Sequence, residues 1–425
     1  MDFNLNEVMV SNSINSKGFL DSSTSTMFSD LHIHSKYSRA TSINLSFENL
    51  VKWAKIKGLH LLGTGDFTHP KWFAEIKEKL VSNGKGFYYF ETFPFIITGE
   101  ISLMYTQERG RRIHLVLLVP STEIAGKINS YLDTKGRRDY DGRPIFKIPA
   151  DEFTREMMKI SKDIEIIPAH IWTPWFGIFG SNSGFDSLKE AFKEELGDIH
   201  AIETGMSSDP EMNWKISELN NKSIVSFSDS HSFWPFRLGR EATIFKKTDS
   251  YNELIKQIRQ NNFYGTIETD PAYGKYHYDG HNLCNFSCDF KKTKELGGIC
   301  LICKKPLTIG VEYRVEILSN QKPEENPFRK RFYKLLPLHE IIALSINNKI
   351  ESKKTWEIYN NLIENFGNEF NILLNVSKEQ FAGKNVDDKL IELILKNRIG
   401  KIYVKPGYDG VYGIAELGEK QRKLI

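Results

Sequence analysis

Seven apolar, β-branched runs recur through the first 230 residues, and they constrain the fold more than any other feature. They cover 30–34, 60–66, 93–101, 113–120, 164–170, 199–204 and 223–229. The stretch Ile113-His114-Leu115-Val116-Leu117-Leu118-Val119 is apolar almost throughout. That is how a strand covered on both faces reads, as in parallel α/β sheets. Helix-compatible segments separate most of the runs, at 47–57, 72–80, 187–196 and 211–220, with a last one at 251–261. Strand–helix alternation repeated this often predicts a barrel or a doubly wound α/β domain, and seven strands favour a distorted (β/α)7 barrel.

That domain does not use the whole chain. The 425 residues exceed what one hydrophobic core organises. Residues 134–149 are too polar and turn-rich for a barrel element and read as an insertion. Past 270 the pattern changes to a turn-rich stretch holding all four cysteines, then a Pro/Glu/Asn linker at 321–327 and helices at 336–346, 354–366 and 386–397. The expected division is a variable extension over 1–28, the barrel over 29–270, a small cysteine module over 271–320, and a mainly helical region over 321–425. Cysteines confined to Cys284–Cys303 exclude a disulfide scaffold and suit a local metal site. No apolar run reaches eighteen residues and no secretory leader is legible, so a cytoplasmic protein without a membrane span is expected. From His281 onward 24 Lys+Arg face 18 Asp+Glu, a net +6, whereas the first 280 residues carry −3 (33 against 36). An acidic first part with a basic appendage suits an enzyme whose accessory region meets a polyanion.

Metal-competent side chains gather at the predicted strand ends. The first run carries His32 and His34, the second ends at Asp66 and His69, the third at Glu100. The fourth carries His114, the fifth ends at His170, and the seventh runs into Asp229 and His231. Residues at i and i+2 on a strand face the same side, so His32/His34 and Asp229/His231 can each grip one ion. Imidazoles with carboxylates suit zinc, manganese or iron, and such sites lower the pKa of bound water. A lone strand histidine is more often a core or surface residue, and His60, His200, His277 and His339 fall in that class. The cysteines form Cys284-x3-Cys288-x11-Cys300-x2-Cys303, two close pairs that suit a tetrahedral zinc site, with His277 or His281 as a substitute for one thiolate.

The order His32-x-His34, Thr64-Gly65-Asp66, Glu100, His114, His170 and Asp229-x-His231 resembles the PHP (polymerase and histidinol phosphatase) family over residues 29–265. The resemblance implies a distorted seven-stranded barrel with a multi-metal phosphoesterase centre. Its ligands would be His32, His34, Asp66, Glu100, His114, His170, Asp229 and His231. Glu100 would bridge two ions, and Asp229, His231 and Glu100 would be essential to catalysis. Ser38-Arg39-Ala40 stands where the family often has a further His, and Asp66 where it often has His. His69 is therefore a candidate substitute ligand or phosphate contact, and Arg39 a candidate phosphate contact.

Longer phrases resemble one subgroup, the endonuclease Q family. They are Gly65-Asp66-Phe67-Thr68-His69-Pro70, residues 169–176 (Ala-His-Ile-Trp-Thr-Pro-Trp-Phe), residues 179–185 (Phe-Gly-Ser-Asn-Ser-Gly-Phe), Glu203-Thr204-Gly205, and residues 405–413 (Lys-Pro-Gly-Tyr-Asp-Gly-Val-Tyr-Gly). This resemblance covers nearly all of the chain after residue 28. It implies nicking of DNA 5′ of deaminated bases (hypoxanthine, uracil, xanthine) and of abasic sites, leaving 3′-hydroxyl and 5′-phosphate ends. It also implies a zinc module after the barrel. The implied cofactors are Zn2+ in the module and the barrel, with Mg2+ or Mn2+ as alternatives in the active site. The implied partner is damaged double-stranded DNA, with single-stranded DNA and a sliding clamp left open, and the implied place is the nucleoid. Trp172, Trp175, Phe179, Ser181 and Asn182 in one strand-end loop, and Ser207 in another, are candidates for a pocket that stacks and reads an extruded base. The alternatives are a small-molecule phosphoesterase of the histidinol-phosphatase type and a non-catalytic DNA-binding zinc protein.

Overall fold

The computed structural model describes residues 25–416. Each of the seven apolar runs contains a strand or part of one. They are β1 (Thr26–Asp30), β2 (Leu61–Gly63), β3 (Phe93–Gln107), β4 (Arg109–Val119), β5 (Glu165–Pro168), β6 (Ala201–Glu203) and β7 (Ser223–Val225). Strand β1 begins inside the stretch read as a variable extension, and residues 1–24 of that extension lie outside the described residues. Ladders join β1 to β2, β2 to β3, β3 to β4 and β4 to β5. Strand β6 pairs in parallel with β7.

The remaining junctions are made by individual bonds. Ile171 N–H donates to Glu203 O at 3.1 Å, and His34 N–H donates to Ser230 O at 2.9 Å. The neighbour order of the seven runs is therefore kept in a mixed α/β fold, with ladders at five junctions and individual bonds at the other two. A departure concerns direction. Strand β4 is antiparallel to both neighbours; toward β3 this is forced, because only Glu108 separates the two and a parallel return needs a crossover of roughly a dozen residues or more. His114 consequently reaches the site from the middle of its strand, opposite Ser102.

The helix at Phe47–Lys57 starts on a Ser46 cap and ends at Gly58 in the left-handed region (φ 96°), the cap chemistry that fixes both ends. Three further strands, β8 (Ala242–Lys246), β9 (Gly265–Glu268) and β10 (Arg331–Lys334), extend the sheet beyond β1. The insertion at 134–149 holds one short strand, Ile145–Phe146, paired with Ser102 and Leu103. Helices at Leu338–Ile346, Lys353–Phe366, Glu369–Leu374, Lys378–Ala382 and Asp388–Arg398 form the C-terminal region, followed by a hairpin of β11 (Tyr403–Lys405) and β12 (Ile414–Glu416). A buried ion pair docks this region on the sheet domain: Lys57 Nζ lies 2.6 Å from Glu369 Oε1, and Tyr359 Oη donates to Glu369 Oε2 at 2.9 Å. Among the described residues no helix is long and apolar enough to cross a membrane.

Candidate metal centre

Two histidines just past β1 are buried and each is held from behind by a carboxylate. His32 Nδ1 lies 2.9 and 3.1 Å from the two oxygens of Glu203, at the end of β6. His34 Nδ1 lies 2.9 Å from Asp66 Oδ1. A carboxylate at Nδ1 fixes the proton there and leaves the Nε2 lone pair free for a cation. Both Nε2 atoms face the same two side chains. Glu100 Oε2 is 3.6 Å from His32 and 3.4 Å from His34, and Asp229 Oδ1 is 3.5 and 2.9 Å away. His32 Nε2 is buried and has no hydrogen-bond partner, as expected of an atom built to bind an ion.

The other oxygen of Glu100 belongs to a second group. Glu100 Oε1 lies 2.7 Å from His114 Nδ1 and 3.1 Å from His170 Nε2. Glu100 thus joins the group His32–His34–Glu100–Asp229 to the group Glu100–His114–His170, each with ligand atoms within 4.8 Å of one another. Nitrogen and carboxylate donors clustered in this way fit divalent ions such as zinc or manganese. Burial pushes the Glu100 carboxyl up, but His114, Arg143 and His32 overcome it and hold it well below the usual range. Burial also pushes His114 down to about 4, which keeps its ring neutral and available as a ligand.

The backbone is strained where it delivers these groups. Asp66, His170 and Asp229 sit at φ 44°, 31° and 48°, in a region that costs ordinary residues on the order of 1–3 kcal/mol. Close backbone approaches surround them. A Cβ on Gly142 would meet Asp66 Oδ2 at 2.1 Å, and one on Gly205 would meet His170 Cβ at 2.5 Å. The insertion therefore packs its backbone directly onto the centre.

Some sequence-predicted residues take other places. Asp66, read as a ligand, spends Oδ1 on His34, while its Oδ2 accepts from Ser35 N–H (2.6 Å), Ser35 Oγ (2.7 Å) and Ser38 Oγ (2.9 Å). It orients His34 and belongs to neither metal group. His231 flanks the centre, its ring 4.3 Å from that of His34 and its Nδ1 donating to Asp229 O at 3.0 Å, outside both groups. His69 stacks on Tyr37 at 4.5 Å, with a buried Nδ1 that has no hydrogen-bond partner. Arg39 is largely exposed, its Nε 3.3 Å from Asp141. Two residues were missed. Glu203 ends the one predicted strand without an assigned ligand, which was the available clue. Arg143, from the basic insertion, places Nη1 2.9 Å from Glu100 Oε2, and no spacing pointed to it.

The proposed base pocket divides in two. Trp172 and Phe179 are fully buried and pack on each other, with Trp172 Nε1 donating to Asn213 Oδ1 at 2.8 Å. They form core and offer no face to a ligand. Trp175 is exposed, as is Asn182. Ser181 Oγ donates to Ile309 O at 3.4 Å, and Ser207 Oγ is buried without a partner.

In the cysteine module, the metal-competent group is His281, Cys284, Cys300 and Cys303. Three thiols and one imidazole remain a zinc-type donor set. Cys288 lies outside the group, its sulfur 3.2 Å from Thr293 Oγ1. The local cause is the antiparallel pairing of Asp279–His281 with Phe286–Cys288, in which Cys288 lies opposite Asp279 and His281 lies at the end nearer Cys284.

Comparison with known proteins places this geometry. The family model of the MJ0043 C-terminal domain matches residues 337–401. MJ0043, an uncharacterized protein of Methanocaldococcus jannaschii, is 33% identical over 248 residues, 57% of this chain; the match spans 31% of that longer protein. YqxK, an uncharacterized protein of Bacillus subtilis, is 25% identical over 412 residues, 91% of this chain and 98% of its own. The crystal structure of the lesion-specific endonuclease PfuEndoQ from Pyrococcus furiosus superposes with a TM-score of 0.83 at 30% identity, over 93% of this chain and 96% of that one. Endonuclease Q in complex with a 27-mer duplex bearing an abasic lesion at its active site gives 0.82 at 29% identity, over 93% and 97%. Similarity across nearly the full length of both chains shows that this chain belongs to the endonuclease Q family.

Proposed function

We propose that this protein is a DNA-repair endonuclease that hydrolyses the phosphodiester 5′ of deaminated bases (hypoxanthine, uracil, xanthine) and of abasic sites, leaving 3′-hydroxyl and 5′-phosphate ends. The observation that carries the reading is Glu100 shared between two groups of metal-competent side chains, within a chain similar to an endonuclease Q bound to abasic duplex. His32, His34, Glu100 and Asp229 would hold one divalent ion, and Glu100, His114 and His170 another. Bound there, such ions lower the pKa of water and neutralise charge on phosphoryl oxygens. Zinc fits these donors, with magnesium or manganese as the other candidates for the active site.

The chain's own groups complete the chemistry. Glu203 and Asp66 lock the two front imidazoles in the tautomer that presents Nε2. Arg143 supplies a cation beside Glu100 where a bridging phosphate would build negative charge. His231, its ring 4.3 Å from that of His34 and its Nδ1–H donated to Asp229 O, keeps the Nε2 lone pair and would serve beside the centre as a further ligand atom or a proton acceptor. Specificity would come from extruding the target nucleotide, since a mispaired deaminated base or an abasic site leaves the stack at lower cost than a paired base. The His281–Cys303 module and the basic C-terminal region would hold duplex DNA by phosphate contacts. That role has no counterpart in a phosphoesterase acting on small substrates.

The test is a nicking assay on labelled duplexes carrying one hypoxanthine, uracil or abasic site, with a chelator control. Asp229→Ala is expected to abolish cleavage while leaving circular dichroism and thermal melting near those of the unaltered chain. Cleavage by Asp229→Ala at the unaltered rate would refute the assigned centre.

A further inference from the structure

Three aromatic side chains from distant parts of the chain stand on segments tied to one another, and neither metal group uses them. Trp175 is 39% exposed and Tyr412 49% exposed. Tyr276 joins them, its ring 5.2 Å from that of Trp175 in an edge-to-face arrangement of 68°. Lys275 Nζ lies 4.6 Å from the centre of the Tyr412 ring. Gly410 N–H donates to Lys275 O at 3.0 Å, so the turn that carries Tyr412 is tied to the segment that carries Tyr276.

Backbone contacts fix where this cluster stands. Phe176, next to Trp175, packs its ring 4.3 Å from that of His114 and accepts the His114 N–H at 2.9 Å. On the other side, a Cβ on Gly274 would come 3.3 Å from Met206 O, in the loop whose Gly205 abuts His170. The segments that carry Trp175 and Tyr276 therefore abut residues in direct contact with His114 and His170.

We propose that Trp175, Tyr276 and Tyr412 form a stacking platform for unpaired nucleobases, covering the bases left without a neighbour when the target nucleotide leaves the duplex. Ring faces stack on any base, which makes such contacts tolerant of sequence, and adjacent cations suit the flanking phosphates. A protein partner would find exposed Lys275 over the Tyr412 ring, a cation beside aromatic faces that suits a polyanion better than an apolar protein surface. This inference rests on the DNA reading above.

The experiment uses the full chain carrying Asp229→Ala, so that bound DNA stays intact, and duplexes with 2-aminopurine beside an abasic site. Stacking quenches the 2-aminopurine fluorescence. Replacing Trp175 and Tyr412 together with alanine is expected to abolish the quenching and weaken binding by about five- to hundred-fold, with metal content and melting temperature unchanged. Trp175→Phe with Tyr412→Phe is expected to retain both. Unchanged quenching and affinity in the alanine variant would overturn the platform and leave the nuclease reading standing. If the unaltered chain neither binds nor nicks lesion duplex, both fall together.

Discussion

Glu203→Gln tests the centre at a residue that touches no ion. The carboxylate faces His32 Nδ1 with both oxygens, at 2.9 and 3.1 Å, and its Oε2 also accepts the backbone N–H of His170 at 2.8 Å. One side chain thus sets a ligand from each metal group. Glutamine has nearly the same shape but one acceptor oxygen, so in either amide orientation an NH2 faces a donor. If it faces His32, the imidazole is driven to the tautomer protonated on Nε2 and loses its lone pair for the ion. If it faces His170, a buried backbone N–H is orphaned and the turn at φ 31° loses a tether. Leaving one buried donor unsatisfied costs on the order of 1–3 kcal/mol, about five- to 150-fold in an equilibrium constant. Outer-sphere partners of metal-bound imidazoles typically contribute about 10–100-fold in metal affinity. Both routes lead to the same range. The assay is competitive titration of zinc against a chromophoric chelator, followed by nicking of abasic duplex at saturating metal. Affinity should fall about 10–100-fold, and excess metal should restore most of the activity. An affinity within twofold of the unaltered chain would refute the argument that Glu203 sets the ligands.

Arg143→Ala should lower the nicking rate about 100-fold, the cost of removing one charge aimed at a transition state, while zinc titration shows no loss of affinity. His281→Ala should lose the ion of the cysteine module by metal analysis, whereas Cys288→Ser keeps it, because Cys288 lies outside the donor group. Lys57→Met should destabilise the protein by about 3–5 kcal/mol in chemical denaturation, since it leaves the buried Glu369 carboxylate without its charged partner.

The sequence made visible what depends on local chemistry and burial. The helix at Phe47–Lys57 occupies the expected residues because Ser46 and Gly58 cap it. The run 113–119 reads as a strand because both of its faces are covered. Direction was hidden: an apolar run looks the same in either sense, and only the one-residue link at Glu108 forces the antiparallel return. The ligand set was half visible for a related reason. Asp66 lies just past β2 and Glu203 ends β6, both are buried, and nothing in spacing separates a carboxylate that faces an ion from one that faces the back of an imidazole. In 284–303 the spacing marked the metal module and left open whether an imidazole replaces one thiol. Two spaced pairs suggest four equivalent ligands, whereas the short hairpin turns His281 toward the site and Cys288 away. In the loop at 172–185, aromatic content pointed to a pocket, but tertiary packing buried Trp172 and Phe179 and left Trp175 outside.

The C-terminal helices have a role in the centre that charge alone did not suggest. Asp229 and His231 lie on the connection from β7 to β8, and that connection is fastened from the far side. Lys57 Nζ donates to Pro235 O at 2.8 Å while it pairs with Glu369. The Trp234 ring lies 5.3 Å from Trp356, and the Phe236 ring 5.4 Å from His339. Trp356 and His339 belong to the C-terminal helices, so the segment just after the ligand pair is sandwiched between the first helix and the C-terminal region. A residue such as Asp229, held at φ 48°, persists only where its surroundings over-determine it. The helical region therefore supplies part of that constraint.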